Sequence, residues 1–204
     1  MEKPIAGLPG YPVNEYLLVL QPDEDVWNKI MEVKKQFAHS YDCPSAPLLK
    51  PHIALARFTQ YEMVEARIMA RLATITAGLR PFMVELNGFG SFPAHTVYLR
   101  VGPRQALVDV VRAVRDIQRL MKLDDDNKPH FITEPHIAIA RKLQHWQYEK
   151  SWQEYSQRHF TARFMAGSLL LQKRRQGEKQ YRTVQRYPFQ NLLPVITTQG
   201  ELFG

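Results

Sequence analysis

The spacing of apolar residues along the chain changes period repeatedly, and each change predicts an element. Residues 15–20 (EYLLVL) form a short apolar run stopped by Gln21-Pro22, the pattern of a buried strand. Asp23 is placed to cap a helix starting near Glu24, and Val26, Trp27, Ile30, Val33 and Phe37 recur at helical spacing, predicting an amphipathic helix over 24–38. Residues 39–50, with Pro44, Ser45 and Pro47, read as a loop before a strand over 52–58. A second helical pattern spans 61–79 through Met63, Ala66, Ile68, Met69, Leu72, Ile75 and Leu79. Phe82, Val84 and Leu86 then alternate with Met83, Glu85 and Asn87, a strand period, and residues 88–91 (GFGS) permit a bulge or bend. In the next strand, 96–101, Val97, Leu99 and Val101 take one face and Thr96, Tyr98 and Arg100 the other.

Gly102-Pro103 starts a helix predicted over 104–121, with Leu107, Val110, Val111, Val114, Ile117 and Met121 on its apolar face. Its opposite face is rich in arginine: Arg104, Arg112, Arg115 and Arg119. Residues 124–127 (DDDN) have the composition of a calcium loop but lack its sixth-position glycine and closing glutamate. A strand over 134–141, a Trp-rich helix over 145–157, one strand over 160–173, a turn around Gly177 and a returning strand over 181–187 complete the pattern. The order β-α-β-α-β-β-α-β-α-β-β predicts an α+β fold with two antiparallel-rich sheets. It forms one domain over 14–187, with an irregular lead-in (1–13) and a tail (188–204) that has no clear period.

Composition narrows the class. A chain of 204 residues suits one domain with a sizeable core or one domain of two similar lobes. No apolar stretch reaches the length of about 18 residues expected of a spanning helix. The first residues carry no apolar block and do not read as a signal peptide. The single cysteine, Cys43, rules out an intrachain disulfide and points to a reducing cytoplasm. A net charge of +7 favours a polyanionic partner, nucleic acid or nucleotide first. No Gly-rich phosphate loop, zinc-ligand spacing or serine elbow is present, so neither metal nor cofactor is expected.

The candidate chemistry lies in a phrase that occurs twice. Pro51-His52-Ile53-Ala54 continues as Leu55-Ala56-Arg57, and Pro135-His136-Ile137-Ala138 continues as Ile139-Ala140-Arg141. Strand alternation places His52, Ala54 and Ala56 on one face, and His136, Ala138 and Ala140 likewise, over apolar opposite faces. It also turns Arg57 and Arg141 away from the histidines. A duplicated structural strand would account for the repeat. Two matched imidazoles would also suit a phosphodiester: one neutral, taking a proton, the other protonated, giving one.

With these motifs the sequence resembles the two-histidine phosphoesterase superfamily, particularly the 2′-5′ RNA ligase-like proteins, also described as RNA cyclic phosphodiesterases. The family signature is His-hydrophobic-Thr/Ser-hydrophobic, present twice. Residues 17–20, the hairpin from Pro81 to Leu99 and the Arg-rich helix before the second motif follow in family order, so the resemblance covers roughly 14–187. It implies a bilobal fold with two sheets facing a central cleft and helices outside. His52 and His136 would be the general base and acid, in either assignment, on a 2′,3′-cyclic phosphate or a 2′-5′ linkage of RNA or nucleotides. Hydrolysis and ligation could share the pair. Arg141 matches an arginine that often follows the second motif. The departure is that both family hydroxyls are alanine, Ala54 and Ala138. Loss of one transition-state donor costs about 10²–10³ in rate. Replacement donors would be Tyr98 and Arg100, or Gln172 and Lys173. The alternative is a non-catalytic RNA- or nucleotide-binding protein on the same fold.

Overall fold

Apolar runs punctuated by turn residues fold into nine strands and five α-helices in the computed structural model, which describes residues 10–192. The chain runs β1 (Val13–Leu20), α1 (Glu24–Ser40), β2 (Ile53–Tyr61), α2 (Glu65–Ala77), β3 (Phe82–Phe92), β4 (Thr96–Gly102) and α3 (Arg104–Arg115). It continues through α4 (Gln118–Met121), β5 (His130–Phe131), β6 (His136–Arg141), α5 (His145–Tyr155), β7 (Thr161–Ala166), β8 (Ser168–Arg175) and β9 (Arg182–Pro188). The Asp23 carboxylate accepts from the Val26 amide at 3.0 Å, so α1 starts at its expected cap.

Strand pairing is antiparallel throughout, in a five-stranded sheet of order β5-β2-β1-β8-β9 and a four-stranded sheet of order β6-β4-β3-β7. The histidine strands β2 and β6 approach each other where the sheets meet. Two of the helices are exchanged between the lobes. α1 follows a strand of the first sheet but packs on β6 and β7 of the second; α3 follows β4 of the second and packs back on β2 of the first. Leu18, Ile30, Phe37, Ile53, Leu72, Leu99, Val114, Ile137 and Leu171 accordingly belong to one continuous buried core. A smaller cluster of Leu17, Val19 and Leu170, with Ala54 and Tyr181 against it, lies on the other face of the first sheet. This is the α+β, two-sheeted arrangement expected from the sequence.

Several details differ from the sequence expectations. The strand expected over 160–173 is two strands in different sheets: β7 pairs with β3, and β8 pairs with β1 and β9. The chain changes sheets at Gly167, and because Ala166 and Leu169 on either side both enter the core, the apolar pattern carries no mark of the break. The helix expected over 104–121 is broken after Arg115, where the Asp116 and Ile117 amides donate to carbonyls three residues back. Ile117 and Met121 remain buried across the break, so periodicity hides this one too. β5, two residues long, is too short to show a period. The expected tail begins inside the fold: Phe189 is buried and stacks on Phe82 at 6.4 Å, and the Asn191 and Leu192 amides donate to Leu79 and Ala77 carbonyls. Residues 1–9 of the lead-in and 193–204 of the tail lie outside the described residues.

Candidate active site

His52 stands one residue before β2 and His136 opens β6, both half-buried. Their local geometry is the same. Nδ1 of His52 is 2.7 Å from the Lys50 carbonyl oxygen, and Nδ1 of His136 is 2.8 Å from that of Glu134, each two residues upstream. A carbonyl oxygen only accepts, so each Nδ1 donates, and the neutral ring leaves its lone pair on Nε2. Both imidazoles are thus held in the tautomer that offers Nε2 as base when neutral and as N–H donor when charged.

Strict alternation fails after the alanines, in the same way in both strands. Leu18 is paired with Ala56 and Val19 with Ala54, which leaves Leu55 as an extra residue. Val97 is paired with Ala140 and Tyr98 with Ala138, which leaves Ile139 extra. A bulge reverses the parity beyond it. Ala56 and Ala140 therefore enter the core, fully buried, instead of sharing the histidine face. The reversal also corrects the expectation for the arginines, which return toward the histidine side. The Arg141 charge bears on both His52 and His136, and the Arg57 charge bears on Arg141.

Burial sets the protonation of the pair, and the positive surrounding adds to it. Burial pushes His52 down to about 4; the Lys50 carbonyl opposes, and Arg141, Lys34 and His136 add to the depression. Burial likewise lowers His136, with Arg141 adding, but there the Glu134 carbonyl and carboxylate both oppose. The two histidines share one electrostatic environment, and Glu134 beside His136 makes the pair unequal. Lys34, fully buried, is itself held down to about 7 by burial and by Arg141.

The remaining sequence candidates divide. Ala138 is buried beside His136 with Tyr98 directly across the ladder, and Arg100 lies across from His136 itself. The Tyr98 ring lies 4.9 Å from the His136 ring and 4.8 Å from Phe92, and Phe92 meets His136 edge-on at 5.0 Å, so an aromatic wall flanks this histidine. Ala54 lies instead over the small apolar cluster with Val19 and Leu170. Gln172 is paired with Leu17 of that cluster and shares its face. Lys173 is on the opposite face, where Nζ donates to Glu62 at 2.8 Å and Glu65 at 2.6 Å, so it is removed from the set of donors. The acidic loop is a capped turn: Asp124 accepts from the Asp126 and Asn127 amides.

Sequence reasoning missed Lys34, Phe92 and Gly90. Lys34 had a readable signal, since it stands four residues after Ile30 and three before Phe37 on the apolar stripe of α1. Gly90 is needed because a Cβ there would lie 2.5 Å from the Tyr98 ring. Gly90→Ala is expected to leave the fold intact while displacing that ring from His136. The check is a ring-to-ring NOE between Tyr98 and His136, which should be lost with little change in thermal unfolding; an unchanged NOE would mean that the ring is held elsewhere.

The model of the 2′-5′ RNA ligase superfamily matches residues 22–178, and the chain belongs to that superfamily. The fold is similar to solved structures of low sequence identity. E. coli LigT complexed with 3′-AMP superposes with a TM-score of 0.62 at 15% identity, covering 87% of this chain and 98% of that one. TT0787 of Thermus thermophilus gives 0.62 at 15%, covering 86% and 98%. E. coli LigT complexed with NADP+ gives 0.58 at 15%, covering 87% and 99%. A comparison with curated proteins found no match.

Proposed function

We propose that the protein is a phosphoesterase requiring no metal, acting on 2′,3′-cyclic phosphate or 2′-5′ phosphodiester linkages of RNA or nucleotides through His52 and His136. The observation that carries this reading is the matched pair of imidazoles, each with Nδ1 donating to the carbonyl two residues back, in a common field of positive charge. An isolated structural histidine has no need of a second copy in the same tautomer. The bound 3′-AMP and NADP+ of LigT support a nucleotide phosphate as ligand.

On this reading the phosphate sits against Arg141, with Tyr98 and Arg100 as the polar side chains across the ladder from Ala138 and His136. His52, the more strongly depressed imidazole with no carboxylate to favour its charge, takes a proton from the attacking water. An O–P bond forms to that water, the P–O bond to the ribose 2′ or 3′ oxygen breaks, and His136, favoured as the charged partner by Glu134, gives its proton to the leaving oxygen. With a ribose hydroxyl in place of the water, the same transfers open a cyclic phosphate and form a new phosphodiester linkage.

The pH dependence follows from the signs. Burial and positive neighbours disfavour the charged imidazole, so in the free protein the base form of His52 is present above about 4. The acid form of His136 is lost as pH rises through a value below its ordinary range. An anionic phosphate favours both charged forms and raises both values. We therefore expect an acidic optimum for kcat/KM on 2′,3′-cyclic AMP and a kcat optimum at higher pH. A kcat/KM profile with both limbs above neutrality would contradict the assignment. The second reading, a binding protein without turnover, is favoured by Ala54 and Ala138. It predicts tight, salt-sensitive binding of cyclic-phosphate-ended oligoribonucleotides with no product.

A further inference from the structure

Lys34 is a fully buried cation that makes no carboxylate contact among the described residues. Its Nζ donates to the Ala46 carbonyl at 3.3 Å and to the Ile139 carbonyl at 3.1 Å, both buried. These two acceptors belong to the two halves of the site. Ala46 lies in the run of tight turns between α1 and β2 that delivers His52, where the Ala46 amide donates to Cys43 and the Leu49 amide to Ala46. Ile139 is the extra residue of the β6 bulge, the residue that returns Arg141 to the histidine side. A bulged residue is out of register with its partner strand, so its carbonyl needs another donor when buried. Lys34 supplies it.

We propose that Lys34 is a positioning residue that ties the loop carrying His52 to the bulge that aims Arg141, so that one buried ammonium sets the two halves of the acid–base site against each other. This rests on the functional reading of His52 and His136. A neutral donor on α1 could satisfy the same carbonyls. A charged one also acts electrostatically, because Lys34 is among the groups that depress His52. Burial is the main cause that holds Lys34 down to about 7; of the charged and titratable groups, Arg141 from β6 lowers it further and Cys43 from the loop opposes. The same tether would therefore weaken its hold on His52 as pH rises through neutrality.

The test compares Lys34→Met, which removes donor and charge, with Lys34→Gln, which keeps a donor and removes the charge. Histidine 15N titrations and backbone amide shifts read the site without relying on turnover. In both variants the His52 midpoint should rise, since a positive neighbour has gone. In Lys34→Met the amides of 138–141 should also shift, whereas in Lys34→Gln they should stay near the parent. With an active parent, kcat should fall by about 10²-fold in Lys34→Met with little change in KM, as expected when catalytic groups are misplaced by about an ångström. Unchanged His52 titration together with unchanged 138–141 amides in either folded variant would overturn the proposal. Should Lys34→Met fail to fold, the parent itself decides. The amides of 46–52 and of 139–141 should move together with one midpoint near 7, the value to which Lys34 is held, and independent or absent transitions refute the tether. A parent that turns over no substrate but shows these couplings would refute the phosphoesterase reading and leave the tether standing.

Discussion

His52→Ala and His136→Ala are each expected to lower turnover of 2′,3′-cyclic nucleotides by about 10²–10⁴, the range for removing a positioned proton-transfer group. The double variant should lose little more than the worse single one, because groups acting in one transition state are not additive. Steady-state rates with 2′,3′-cyclic AMP measure all three. The roles separate with a substrate whose leaving group needs no proton. On bis(p-nitrophenyl) phosphate, His136→Ala should recover most of its loss and His52→Ala should not. Recovery in His52→Ala instead would exchange the assignments. Equal turnover in the parent and both single variants would remove the pair from the chemistry altogether. Neither substitution should unfold the protein, since both rings are half-buried, each gives up a bond to a carbonyl two residues away, and His136 in addition gives up only its ring contacts with Tyr98 and Phe92.

The second large effect is a gain. Ala138→Thr should raise turnover by up to about 10², because it returns a hydroxyl beside His136, where one transition-state donor is worth about 10²–10³ in rate. Tyr98 stands directly across the ladder from Ala138, within ring contact of His136. If its phenol already supplies the missing donor, the gain shrinks, and Tyr98→Phe then costs the parent more than it costs Ala138→Thr. Ala54→Thr is expected to help less. Its methyl packs on Val19 and Leu170, and a hydroxyl there meets apolar neighbours. Rates of the two single variants and of Ala138→Thr with Tyr98→Phe decide the matter. A parent with no turnover that remains inactive after both alanines are replaced favours the binding protein.

Much of the fold was legible because it rests on local rules. The Asp23 cap, the stripe of Val26, Ile30 and Phe37, the alternation of 82–87 and the turn at Gly177 each read correctly from neighbours a few residues apart. The two histidines were legible for a different reason. They occur in a repeated phrase, and repetition separates them from the structural histidine that either would be alone. The breaks within apolar runs were not legible. Gly167 hands the chain from one sheet to the other between two core residues, and the residues after Arg115 leave the helix while Ile117 and Met121 remain buried. Burial was conserved through both breaks, and burial is what periodicity reports.

The site shows the same division at closer range. By itself the sequence determined two histidines, each followed by an alanine where a hydroxyl would serve phosphate chemistry, and an arginine at equal distance beyond. Alternation, applied as a local rule, sent that arginine the wrong way. Tertiary structure decided its direction, because parity along a strand depends on the register of the neighbouring strand. β1 skips Leu55, and β4 skips Ile139. The second skip leaves a carbonyl that the buried amine of Lys34 satisfies across the fold. Residue identity thus set which groups could exchange protons. Pairing between distant strands set which charges surround them, and burial in the fold, with those charges added, holds each histidine below its ordinary range.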